Sequence, residues 1–147
     1  MKHHEFLSRI EDDKIVSAIA AAENKTSGEI RVFISREQPA SEAATMQLAQ
    51  AAFEKLGMTA TKLRNGVLIF FAPVAQKFAV IGDSGIHERC GQDFWHQVSS
   101  RIGARLREGK FTEAVVAGIE DAGNALAQHF PRAPDDRNEL PNRVETD

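Results

Sequence analysis

Three short polar turns carry the residue types that chemistry needs. Thr26-Ser27-Gly28-Glu29, Arg64-Asn65-Gly66 and Gly82-Asp83-Ser84-Gly85 each join a glycine to charged or oxygen-bearing side chains. Glu29 and Asp83 supply carboxylates, while Ser27, Ser84 and Asn65 supply neutral oxygens, the ligand types a hard cation such as Ca2+ or Mg2+ selects. The glycines let backbones approach closely. A second chemistry is open to the same residues. A helix starting near Gly85 offers backbone N–H groups to a phosphate or carboxylate, with Arg64 in support. The third reading is purely structural: Gly, Asn, Asp and Ser dominate tight turns on backbone grounds, with Asp83 and Ser84 capping a helix and Glu29 or Asp83 pairing with Arg64.

Other candidates are weaker. His87, Glu88 and Cys90 lie close in sequence and His96 follows Trp95, which suggests a transition-metal or Cys–His site. The spacing has no second metal-binding pair, and a lone cysteine is more often a small buried apolar residue than a nucleophile. His3 and His4 read as solvated terminal sequence. Phe94 and Trp95 read as packing residues rather than a stacking platform. The chain has no nucleophile elbow, phosphate-binding loop or dinucleotide fingerprint, so no organic cofactor is expected.

The elements that must position the turns follow from hydrophobic periodicity. Ile15, Val16, Ile19, Ala20 and Ala22 recur at helical spacing after Asp12 or Asp13, and Glu29 to Arg36 alternates in strand fashion. Ser41 caps a second helix that runs through Leu56 with Ala44, Leu48, Ala52 and Leu56 as its stripe, and Gly57 ends it. Gly66 to Ala72 is a continuous apolar run, which suits a central strand covered on both faces. Pro73 to Gln76 then turns the chain back into a third strand, Lys77 to Gly82. Beyond Gly85 the pattern is helical, with a break at Gly91 and a stop at Gly109. A last helix buries Phe111, Val115, Ile119, Ala122, Leu126 and Phe130.

A strand-helix-strand unit places the first two strands parallel, and the short return makes the third antiparallel to the second. The starts of strands one and two therefore lie beside the end of strand three. All three polar turns must meet at that end of the sheet.

Composition sets the outer limits. At 147 residues, 42% hydrophobic and 27% charged, the chain is the size and make-up of one globular domain. Its formal net charge of −3 offers no electrostatic basis for nucleic-acid binding. The longest apolar run is too short to cross a bilayer as a helix. The single cysteine and the absence of a long apolar stretch at the N-terminus lead to an expected cytoplasmic location. The globular domain is read over residues 1–130. Residues 131–147, with three of the five prolines and few apolar groups, read as a flexible polar tail.

The segments Ser27-Gly28-Glu29-Ile30-Arg31-Val32, Asn65-Gly66-Val67-Leu68-Ile69-Phe70 and Lys77 through Ile86 resemble the TPM domain family, over roughly Ile15 to Phe130. The resemblance implies an α/β/α sandwich, three layers around a small mixed sheet. It also implies divalent-metal binding, with Asp83 and then Glu29 as the carried-over ligands, and weak acid-phosphatase activity in some members. Others resemble assembly or repair factors. Where the family often has an acidic residue before the central strand, this chain has Arg64. The expected function is thus a TPM-type module that binds an unidentified protein partner and could hold a cation at Asp83, Glu29, Asn65, Ser27 and Ser84. The alternative is a weak metal-assisted acid phosphatase.

Overall fold

Gly66–Ala72 is apolar at every position after its glycine, and all seven of its residues are buried. Such a strand needs cover on both faces. The computed structural model, which describes residues 2–61, 63–132 and 143–147, supplies it. In chain order the elements are α1 (His3–Arg9), α2 (Asp12–Glu23), β1 (Glu29–Ile34), α3 (Glu42–Lys55), a 3₁₀ turn (Met58–Ala60), β2 (Gly66–Ala72), β3 (Lys77–Gly82), α4 (Ser84–Arg107), α5 (Phe111–His129) and β4 (Val144–Thr146). The sheet order is β3-β2-β1-β4. β1 runs parallel to β2 and β4, and β3 runs antiparallel to β2.

Alternation along the strands sorts the core into two layers. Ile30, Val32, Ile34, Val67, Ile69 and Phe71 pack against α1, α2, α4 and α5. Phe33, Leu68, Phe70, Ala79 and Ile81 pack on the other side against α3 and Met58. The result is the three-layer α/β/α sandwich around a mixed sheet, in one domain.

Local signals act where the sequence places them. Ser41 accepts a hydrogen bond from the Ala44 N–H and starts α3, and Gly57 takes a positive φ of 71° after its end. Inside α4, Gly91 leaves the helical region at φ 73° and bends the helix.

Four features depart from the sequence reading. His3 and His4 lie in a short helix, α1, anchored by Phe6, which is buried against Phe71 and Phe111. The buried face of α3 is Thr45, Ala49, Ala52 and Phe53, because the bulky Phe53 turns that side of the helix to the sheet, and Leu48 and Leu56 only flank it. The strand around Ile34 stops before Ser35. The fourth departure is the C-terminus. Part of the expected flexible tail, residues 133–142, lies outside the described residues, but Val144–Thr146 adds a fourth strand beside β1. Polar bonds hold it where apolar groups are few: Glu145 pairs with Arg31, and Asp147 accepts from the Ser35 hydroxyl and, at 2.9 Å, from the Arg36 N–H.

Candidate functional site at the sheet end

The three turns meet as the strand directions require. Register sets Glu29 opposite Gly66 and Gly82 opposite Val67. Backbone bonds then tie the turns together: Glu29 N–H to Asn65 O (3.3 Å), Asp83 N–H to Gly66 O (3.0 Å) and Gly85 N–H to Arg64 O (2.9 Å). The last approach depends on Gly85, since a Cβ there would sit 2.5 Å from the Leu63 carbonyl oxygen and 2.7 Å from that of Arg64. Arg64 itself adopts φ 53°, a left-handed conformation unusual for a residue with a side chain.

The two sequence-derived carboxylates have different surroundings. Asp83, 7% exposed, receives the Arg64 guanidinium on both oxygens, Nε to Oδ2 at 2.8 Å and Nη2 to Oδ1 at 3.1 Å. It also caps α4 by accepting the Ser84 N–H at 2.8 Å. Ser84 is exposed on the outside of the turn. The first N–H groups of α4 are all used, by Asp83 for Ser84, Ile86 and His87 and by the Arg64 carbonyl for Gly85. No free donor of that turn remains for an anion.

Glu29 is 2% exposed and contacts a carboxylate the sequence reading missed, Glu23, itself 5% exposed. Glu23 Oε2 accepts the Ile30 N–H at 2.9 Å. Burial, with the charge of Glu29 and a hydrogen bond between the two carboxyls, pushes Glu23 up to about 8, against the Ile30 bond and the nearby Arg132 charge. At neutral pH the pair therefore holds a proton between its members. Asn65, 1% exposed, meets Glu29 through its backbone carbonyl, and its Nδ2 donates to Ser27 Oγ at 3.4 Å. Glu23 was legible in principle: it falls four residues after Ile19, on the buried stripe of α2, where a carboxylate is out of place.

The remaining candidates do not gather. Among the described residues no three His, Cys, Asp or Glu side chains come together as a metal cluster. Burial raises the Cys90 thiol above its ordinary value, away from the thiolate a nucleophile needs. His87 instead stacks at a tilt against Trp95, 5.3 Å between ring centres.

An α/β/α sandwich with glycine-bearing polar turns gathered at one end of a mixed sheet defines the class of protein. Comparison with known proteins gives the family. The TPM domain model matches residues 1–125, and the chain belongs to that family. The solution NMR structure of the BA42 protein from the psychrophilic bacterium Bizionia argentinensis is 40% identical, with 92% of each chain covered and a TM-score of 0.85. The sequence matches none of the curated proteins with which it was compared. Among the described residues no helix is long and apolar enough to cross a membrane.

Proposed function

We propose that this TPM domain is a recognition module that binds a partner protein and holds a divalent cation, Ca2+ or Mg2+, where its turns meet. One observation supports the cation: Asn65 Oδ1, buried at the turn whose backbone carbonyl accepts the Glu29 N–H, accepts no hydrogen bond among the described residues. A buried oxygen without a donor is unfavourable, and a hard cation satisfies it. Glu29, Asn65 and Ser27 remain in the proposed ligand set and Glu23 joins it. Asp83, committed to Arg64, and the exposed Ser84 stand outside it. When bound, the cation supplies positive charge in place of the proton and ties α2 to β1.

The phosphatase alternative, a word the family's name also carries, would require the cation to polarise a phosphoryl oxygen and orient a water at an open coordination position. Exposures of only 2% for Glu29 and 5% for Glu23 favour the module. Titration with calcium or magnesium chloride at pH 7, followed by backbone NMR and by calorimetry in two buffers, tests the proposal. The amides of Glu29, Ile30 and Asn65 should move, with release of about one proton per cation, since a group titrating near 8 is mostly protonated at neutrality. Glu23→Gln should abolish the proton release. Unmoved amides at these three positions would overturn the cation site.

A further inference from the structure

The two edges of the sheet are treated differently. On the β1 side, β4 covers the edge, whereas among the described residues β3 has no strand beyond it. The Asp83 N–H to Gly66 O bond fixes which β3 groups face inward. In an antiparallel pair the inward-bonding residues alternate, so Ile81, Ala79 and Lys77 direct their backbone groups to β2. Phe78 and Val80 direct theirs outward. Among the described residues nothing bonds to these outward N–H and C=O groups.

That edge forms the floor of a trough of about 780 Å³, walled by Met46 and Gln50 of α3 and by Trp95 and His96 of α4. Trp95 closes one end, packed so tightly over Gly82 that a Cβ there would lie 2.3 Å from its ring. Met46 is 48% exposed and offers an apolar wall. The fixed charges lining the trough are one acidic and one basic, Glu42 and Lys77, so it presents no field for a strongly charged ligand.

We propose that this trough docks an extended, uncharged segment of a partner protein, which joins β3 as a fifth strand with apolar side chains at alternate positions. Unpaired edge groups bond best to another extended backbone, and the flanking walls read alternate side chains. At about 3.3 Å per residue, the six-residue strand matches a segment of about six residues. A second copy of this chain does not fit the same role. Its β3 would line the same trough, between residues of α3 and α4, and two such pairs of walls facing each other would meet before the strands reached the pairing distance of about 4.8 Å. The inference rests on the recognition-module reading and is independent of the cation.

Selection of a phage-displayed library of random heptapeptides against the full chain tests it, followed by NMR and hydrogen exchange with the enriched peptides in synthetic form. Enriched sequences should show apolar residues at alternate positions and should slow exchange of the Phe78 and Val80 amides at least tenfold. The double variant Met46→Arg/Gln50→Arg, at two exposed positions of α3, should weaken binding at least tenfold with an unchanged unfolding temperature. Val80→Pro, which removes an outward N–H of the edge, should also weaken binding at least tenfold, here with a lower unfolding temperature because the Val80 side chain is buried in the core. Peptides that protect other amides would overturn the trough and leave the recognition module standing. Failure to enrich any peptide would overturn the trough as well, while the cation titration reports separately at Glu29, Ile30 and Asn65.

Discussion

Arg31 and Arg64 perform the same bond in two different solvents. Each guanidinium reaches a carboxylate that the fold brings from elsewhere: Arg31 in the middle of β1 pairs with Glu145 of β4, and Arg64 before β2 pairs with Asp83 after β3. Arg31's side chain is 3% exposed and also donates to the Leu56 carbonyl at 3.3 Å. Arg64's is 50% exposed. Water can replace Asp83 around Arg64, but nothing replaces Glu145 around Arg31. The buried pair should therefore dominate stability, and the exposed pair should serve mainly to hold a turn.

The largest effect expected follows directly. Glu145→Ala should destabilise the protein by about 3 kcal/mol, because it leaves a buried charge without its counter-ion. Urea unfolding checks it, and a loss no greater than that of an Asp83 variant would break the comparison. The pair also has a pH signature. Although burial pushes the Glu145 carboxyl up, the Arg143 hydrogen bond and the Arg31 charge hold it below its ordinary value. Its contribution is therefore present above the unfolded value of 4.5 and is lost as pH falls through the lower folded value.

The Glu23–Glu29 pair is the reverse case, two carboxyls with a proton where the other sites have a guanidinium. Glu23 titrates higher in the folded state than unfolded, so the folded protein binds the extra proton between 4.5 and about 8. Stability should fall as pH rises through that window. Glu23→Gln keeps a neutral, hydrogen-bonding side chain and should flatten this decline. Thermal unfolding from pH 5 to 9 compares the two, and an equal slope in both would remove the shared proton from the site.

These contrasts also mark what the sequence made legible. Apolar runs and glycine stops placed β2, β3, the bend at Gly91 and the meeting of the three turns, because those features depend on local periodicity and chain direction. The Arg64–Asp83 pair was within reach for the same reason. Arg31 and Glu145 were not: an arginine in an alternating strand reads as solvent-facing until a strand 114 residues later covers it. A composition-based reading of the C-terminus could not supply that strand, since beside the one packed apolar residue, Val144, it is held by the Arg31–Glu145 pair and the Asp147 hydrogen bonds. Glu23 was hidden differently, by a helix stripe read for its apolar members alone.

The smallest expected effect separates the two duties of Asp83. Asp83→Ala removes the α4 cap as well as the pair with Arg64, and loss of a helix cap typically destabilises by about 1 kcal/mol. Asp83→Asn keeps an oxygen for the Ser84 N–H and removes only the charge, so it should remain close to the parent in stability, with the half-exposed guanidinium returning to water. The local consequence should be larger than the global one: Arg64, held at φ 53°, loses its side-chain anchor, and the Gly85 N–H to Arg64 carbonyl bond should open more often. Faster exchange of the Gly85 amide in Asp83→Asn, with the β2 amides unchanged, would fix the exposed pair as a turn clamp. A stability loss in Asp83→Asn equal to that of Glu145→Ala would show instead that exposure does not set the balance between these two pairs.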